Sequence, residues 1–395
     1  MQRPWRHDAH VLIIGGGATG AGLAHDLSLR GVRVTLVERH ELTSGTSGRH
    51  HGLLHSGGRY AVGDRESAIE CIEENRVLRR IAPGSFEFNG GLFVAVCDED
   101  LEYLEPFLEG CAACGIPALQ LTPAQALRCE PNLNPALLAA VQVPDGTVDP
   151  MRLVLRFFAT ARHNGAEVWP HAEVTDLLVS GGAVSGAVVH DHVTDHSAKV
   201  YADVVVNAAG PWSGRVAAMA GVDVPLQPSP GVLLALRGRF CNMVLNRMHK
   251  SGDGDIVVPQ RGLSVVGTSS WVVKDPDELT VPEDHVERMY VEGAKLVPAV
   301  RHAERRAAWS AVRPLVGAGS GTGRELSRTF KTFDHAETDG VEGLVTLTGG
   351  KATTLRAMAE LCADVVCGKL GVDEPCRTRD TVLLPHTAYY VAAAA

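Results

Sequence analysis

The chain has 395 residues, room for two to three folded units at about 100–200 residues each, and its 45% hydrophobic and 21% charged content excludes global disorder, collagen-like and coiled-coil architectures. Lys and Arg number 37 against 46 Asp and Glu, a formal net charge of −9, which excludes the positive field that nucleic-acid binding needs; an anionic small molecule would require a local basic pocket. No apolar run approaches the ~20 residues of a membrane span, no apolar signal core opens the N-terminus, and nine scattered cysteines fit a reducing cytoplasm better than a disulfide framework.

The pattern begins with a buried strand, His10–Ile14, a small-residue helix over 18–30 closed by Gly31, and a second strand, Val34–Val37, which together make a βαβ unit. Helical spacing marks Asp64–Ile81 and Asp98–Cys114, and strand character marks Gly91–Val96 and Leu138–Val143. Cys111 and Cys114 form a CxxC, but Leu101, Leu104, Phe107, Leu108 and Cys111 repeat at helical spacing, so the pair reads as a buried helix face ending at Gly115. Thr122-Pro123 opens a short helix, and a longer one covers Asp149–His163. A hairpin follows over Glu173–Val189 through Ser180-Gly181-Gly182, then a buried strand from Asp203 into the small-residue turn Ala208-Ala209-Gly210. The proline-rich stretch Pro225–Pro230 introduces further strands, including a hairpin at Gln260-Arg261-Gly262. A strand Leu344–Leu347, a Gly349-Gly350 turn and a helix over Lys351–Lys369 close the pattern.

Within the opening unit, Gly15, Gly17 and Gly20 satisfy G-x-G-x-x-G: Gly15 permits the tight turn, Gly17 lets a pyrophosphate approach the backbone, and Gly20 lets helix and strand pack closely. Glu38 ends the second strand, where a carboxylate accepts hydrogen bonds from a ribose, so the unit reads as a dinucleotide site. Nucleotide-domain character is split among 8–60, 165–222 and 338–370. The expected organisation is therefore that discontinuous domain interleaved with a mixed-sheet substrate or cap domain over 61–164 and 223–337, followed by a tail at 371–395.

Glu38-Arg39-His40 and the run from Gly45 to Tyr60, together with Val143–Pro150, Asn207–Trp212, Val266–Ser269, Ser310–Leu315 and Thr348–Lys351, strongly resemble FAD-dependent glycerol-3-phosphate dehydrogenases, most of all the large subunit of the anaerobic type. The resemblance runs from about residue 10 to 385. It implies an α/β fold (with α+β elements) in which a Rossmann-like FAD-binding domain is interleaved with a mixed-sheet domain, as in D-amino-acid oxidase-like flavoproteins. It further implies FAD held by Gly15, Gly17, Ala18, Thr19, Gly20, Glu38, Arg39, Thr46, Ser47, His51, Leu53, Val174, Ala209, Gly210, Gly350, Lys351 and Thr353.

The implied reaction is oxidation of the secondary alcohol of a small phosphorylated polyol, sn-glycerol 3-phosphate to dihydroxyacetone phosphate, by hydride transfer to flavin N5. Arg59, Tyr60, Thr268, Arg313 and Arg328 are the implied substrate contacts, since guanidinium forks match phosphate oxygens; Arg59 and Arg313 stand in sequence settings poor in carboxylates. His55 is the expected base, Arg313 an alkoxide stabiliser and Lys351 a polarising group beside the flavin. His50 and His51 adjoin His55, but adjacent histidines in a strand point apart and no carboxylate or cysteine matches them, so no metal is expected; His190, His192 and His196 read as a solvated turn.

The sequence departs from the family at Leu355, where tyrosine is expected, and at His50, where asparagine is expected. Cys362, Cys367 and Cys376 do not form the cysteine-rich cluster with which the anaerobic large subunit continues, which leaves the electron acceptor open. Two other readings share these residues: an oxidase or dehydrogenase of another hydroxylated or amino metabolite in a biosynthetic pathway, and a non-catalytic FAD-binding subunit. The expected partners are a small molecule and no nucleic acid. The expected location is the cytoplasm, compatible with peripheral contact on the inner face of a membrane.

Overall fold

The computed structural model describes residues 5–317 and 329–391. Its first sheet has the order Phe330–Asp334, Leu344–Gly349, Val204–Asn207, His10–Ile14, Arg33–Val37, Glu167–Trp169. All neighbours are parallel except the edge strand Phe330–Asp334, which runs antiparallel to Leu344–Gly349 and lies within 223–337, the span expected for the mixed sheet. Parallel strands buried on both faces read as continuous apolar runs, which is why Val11 to Ile14 and Val204 to Val206 show no polar alternation. Val11, Ile13, Val34, Leu36 and Val206 face the helices Ala18–Leu29, Pro150–His163 and Leu355–Leu370. Leu12, Ile14 and Val205 face the antiparallel meander Ala172–Ser180, Ala183–Asp191, His196–Tyr201. Helix Ala18–Leu29 is buried almost all round because it is sandwiched, and at Gly22 a Cβ would stand 2.9 Å from the Ala359 Cβ of the helix packed on it.

The second large sheet is mixed and has eight strands, in the order Arg305–Val316, Leu226–Arg237, Leu263–Gly267, Ile256–Gln260, Val244–Arg247, Gly91–Ala95, Ala139–Val143, Leu119–Leu121. Val232, Leu234, Val257 and Val266 on one face pack on Val286, Met289 and Leu296 of helix Glu283–Leu296. The alternate residues Leu233, Ile256 and Ala311 face a large cavity between the two sheets. A small sheet, Leu53–Leu54 with Gly146–Val148 and Phe86–Glu87, ties the loop after the nucleotide unit to this assembly.

Three local expectations change. The helix expected over Asp98–Cys114 is two, Asp98–Glu102 and Leu104–Ala113, because the Pro106 ring would collide with the carbonyl of Glu102 in a continuous helix. Pro228 and Pro230 lie inside strand Leu226–Arg237 rather than before it. Their carbonyls accept bonds from Val273 and Trp271, so their missing N–H groups face that irregular segment and cost the strand ladder nothing. The last long helix starts at Leu355, after Gly349 and Gly350 at φ 89° and 73° and a 3-10 turn over Ala352–Thr354. Cys111 and Cys114 are buried at the end of Leu104–Ala113, before Gly115 at φ 67°, as the helical spacing predicts. Among the described residues no helix is long and apolar enough to cross a membrane.

Candidate active site

The cavity between the sheets has a volume of about 1300 Å³. Drug-sized ligands occupy about 300–1,000 Å³, so this space admits a dinucleotide together with a small molecule. Its floor is the opening turn. Gly15 sits at φ 115° with the Ala208 carbonyl oxygen 2.6 Å from where its Cβ would be, and a Cβ at Gly20 would fall 2.0 Å from the Gly15 oxygen. Only glycine allows both approaches, and the turn thereby presents backbone N–H groups at the start of helix Ala18–Leu29. Ser47 Oγ accepts the Ala18 N–H at 2.8 Å, and the Glu38 carboxylate is fixed by the N–H groups of Gly16 (2.7 Å) and His40 (2.9 Å). Glu38 is thus oriented by the backbone.

Of the residues expected along FAD, Gly15, Gly17, Ala18, Thr19, Glu38, Arg39, Thr46, Ser47, His51, Leu53, Val174, Ala209, Gly210, Gly350 and Lys351 line this one cavity. Gly20 lies behind the turn, and Thr353 is buried behind the lining, where its Oγ1 accepts the His55 N–H at 3.1 Å. The glycine floor, the positioned carboxylate and the volume together fit FAD.

The expected substrate residues His55, Arg59, Tyr60, Thr268 and Arg313 line the same cavity. Arg328 lies outside the described residues. The loop carrying His55 and Arg59 is held from behind: Asn75 Nδ2 donates to the His55 carbonyl at 3.0 Å and Asp145 Oδ1 accepts the Ser56 N–H at 2.6 Å. The expectation that Arg59 lacks a carboxylate is overturned. Arg59 Nη2 meets both oxygens of Asp255, at 2.7 and 2.9 Å, and Asp255 is buried. Burial pushes the Asp255 carboxyl up, but the Arg59 charge together with the hydrogen bonds from His249, Arg59 and the Gly252 N–H outweighs it and holds the group far below the usual carboxylate range. Arg313 donates through Nη2 to Thr268 Oγ1 and, at 2.9 Å, to the Ser269 carbonyl. Lys351 Nζ bonds Ser67 Oγ at 3.1 Å, lies 3.7 Å from Glu70 Oε2 and sits 5.2 Å from the Tyr60 ring centroid.

His50 and His51 lie after the short helix Thr46–Arg49 rather than in a strand, and each accepts an N–H on Nδ1, from Gly52 and Leu53. Burial lowers His50 to about 4 and His51 to about 3. Burial, then the charges of His51, Arg59 and Lys351, lower His55 well below the ordinary value, so all three rings are neutral at pH 7. Among the described residues no group of three His, Cys, Asp or Glu is arranged to hold a metal.

Sequence reasoning missed Asp255, Lys250, Asp277 and Arg215. The last three line the cavity, and none stands in a motif with a chemical signature. Trp212, also in the lining, follows the small-residue turn Ala208-Ala209-Gly210.

Comparison with known proteins agrees with this construction. The model of the FAD dependent oxidoreductase family matches residues 10–365. The A subunit of the anaerobic glycerol-3-phosphate dehydrogenase of Escherichia coli K12 is 46% identical over 376 residues, covering 94% of this chain and 69% of that protein. The A1 subunit of the Haloferax volcanii enzyme is also 46% identical, over 94% of this chain and 66% of its own length. Among solved structures, the glycerol-3-phosphate dehydrogenase of Bacillus halodurans complexed with FAD superposes with a TM-score of 0.74 at 26% identity, covering 96% of this chain and 68% of that one. Glycine oxidase from Geobacillus kaustophilus shares the fold, with a TM-score of 0.72 at 24% identity over 91% of this chain and 95% of its own. The chain therefore belongs to the FAD dependent oxidoreductase family and, within it, to the FAD-dependent glycerol-3-phosphate dehydrogenases.

Proposed function

We propose that this flavoenzyme oxidises sn-glycerol 3-phosphate to dihydroxyacetone phosphate, with the residues named above holding FAD across the first sheet and the substrate against the mixed sheet. The observation that carries the reading is a cluster of three cations, Arg59, Arg313 and Lys351, lining one cavity of a chain whose net charge is −9. A phosphate monoester carries close to two negative charges, and planar guanidinium groups bind its oxygens in pairs. Bound FAD supplies the acceptor for the hydride that leaves the carbinol carbon.

In this reading Arg59, braced by Asp255, and Arg313, braced by Thr268 and Ser269, hold the phosphate and orient the alcohol. A ring nitrogen of neutral His55 accepts the hydroxyl proton. Its low basicity in the free protein comes from burial and nearby cations, and a phosphate dianion beside it restores basicity when the substrate is present. Lys351 and Tyr60 complete the polar wall, and the mixed sheet excludes water through Leu233, Ile256 and Ala311. The naming of the relatives as one subunit of an enzyme supports transfer of the electrons to another polypeptide. A cytoplasmic location, peripheral to a membrane, belongs to the same proposal, and nine free cysteines support a reducing compartment.

The test is anaerobic. Phosphorylated and unphosphorylated polyols are added to the purified flavoprotein and loss of the oxidised flavin absorbance is followed. Rapid bleaching by sn-glycerol 3-phosphate and little by glycerol is the expected result; bleaching by neither, or by glycerol equally well, overturns the substrate. His55→Ala should slow bleaching by about 10²–10⁴-fold, the usual contribution of a positioned base.

A further inference from the structure

We propose that Asp277, carried on the irregular segment 268–282 that leaves the mixed sheet, is the positioning residue of a clasp that closes the nucleotide side of the cavity and sets how fast FAD leaves. Arg39 follows Glu38 at the end of strand Arg33–Val37, and its guanidinium lies 4.5 Å from the Trp212 ring centroid. Arg39 Nη2 and Trp212 Nε1 both donate to Asp277 Oδ1, at 3.4 and 2.7 Å. Arg215 Nη1 donates to Asp277 Oδ2 at 2.5 Å and its Nη2 bonds Asp275. The segment is stiffened at its own turn, where the Asp277 N–H donates to Asp275 Oδ1 at 2.8 Å.

One carboxylate thus gathers two cations and an indole. Arg39 follows the end of one strand of the nucleotide sheet, and Trp212 and Arg215 lie in the 3-10 turn Gly210–Trp212 and helix Ser213–Ala218 that follow strand Val204–Asn207, whereas Asp277 lies on the segment that leaves the mixed sheet. Arg39, Trp212, Arg215 and Asp277 all line the cavity, beside the Glu38 carboxylate that marks the ribose position. A dinucleotide seated on the glycine turn therefore has this clasp across its exit on that side. Burial opposes the charge on Asp277, yet the bonds from Arg215 and Trp212 outweigh it and hold the carboxyl below its usual range. Asp277 and Arg215 are 48% and 45% exposed, so the clasp is reached by salt and weakens as ionic strength rises. The inference is independent of which alcohol is oxidised.

The experiment uses the holoprotein and reads FAD release as the rise of free-flavin fluorescence after dilution. Asp277→Ala should release FAD about tenfold faster than the parent, equivalent to about 1.4 kcal/mol. Raising salt from about 10 to about 500 mM, which shortens the screening length from roughly 30 Å to a few ångströms, should accelerate release from the parent and leave Asp277→Ala unchanged. Asp277→Glu, which keeps the charge, should stay nearer the parent than Asp277→Ala. Release from Asp277→Ala within twofold of the parent, or equal salt acceleration of both, overturns the clasp. Should the alanine variant fail to fold, Asp277→Asn decides by the same criteria, since it keeps the size and an acceptor for Trp212 but removes the charge.

Discussion

A single methyl group tests the opening turn. The position a Gly20 Cβ would take is 2.0 Å from a backbone oxygen, so Gly20→Ala cannot be absorbed by a rotamer change and must displace the turn. The expected outcome is protein that purifies with little or no bound flavin, measured by the ratio of flavin to protein absorbance. Asp255 offers a complementary test on the substrate side. Asp255→Ala leaves the Arg59 guanidinium in a buried setting without its counter-charge, a change that typically costs about 3–5 kcal/mol. A fall of that size should appear in denaturant titrations, whereas the double variant Arg59→Met with Asp255→Ala should recover much of the stability but not the flavin bleaching. The two residues also mark the boundary of what the sequence discloses. The glycine turn is legible because every constraint on it lies within one strand, one turn and one helix. The Arg59–Asp255 pair joins residues 196 apart, and no local rule connects them.

At the scale of elements, the sandwiched helix Ala18–Leu29 carries a group that should control acid stability. His25 is fully buried with its ring against Phe157 at 5.4 Å, and neither ring nitrogen has a hydrogen-bond partner. Burial, with a smaller contribution from the Arg356 charge, lowers it to about 3. The unfolded chain binds a proton at this residue as pH falls below about 6.5, and the folded chain does not until about 3, so folding stability drops on acidification across that window. From pH 6.5 to 4.5 the loss from His25 alone is roughly 2–3 kcal/mol at ~1.4 kcal/mol per unit. His25→Leu should flatten the pH dependence of the urea midpoint between those values, and removing a buried unpartnered polar ring should not lower stability at pH 7. Elements are legible wherever periodicity and caps agree, as at Asp64 and Asp149, whose side chains cap the helices starting at Arg65 and Pro150. They are illegible where a neighbour decides: Pro228 and Pro230 read as breakers, but a strand accepts them because the segment beside them asks for carbonyls and no N–H.

The whole molecule sets an electrostatic problem that the site must solve locally. A chain of net charge −9 repels a phosphate dianion at long range, while the cavity lining gathers Arg59, Arg313 and Lys351 deep inside. Lys250 is an exposed cation of that lining, two residues from Gly252, whose carbonyl lies 3.5 Å from Arg59 Nη2 and whose N–H bonds Asp255 at 2.7 Å. It therefore stands at the mouth on the same side as the Arg59 site, where it can counter the global field during encounter. Charge reversal in Lys250→Glu changes the mouth by two units. Acting on a dianion at about 10 Å in water, that amounts to roughly 1.7 kcal/mol unscreened, about 1.2 at 10 mM salt and about 0.6 at 100 mM. The expected result is a fall in kcat/KM for sn-glycerol 3-phosphate of about sevenfold at 10 mM salt, shrinking to about threefold at 100 mM, with the loss carried by KM. A salt-independent loss would mean that Lys250 grips the bound ester instead of guiding it in, and no loss at any salt would leave the inner cations to overcome the global charge by themselves.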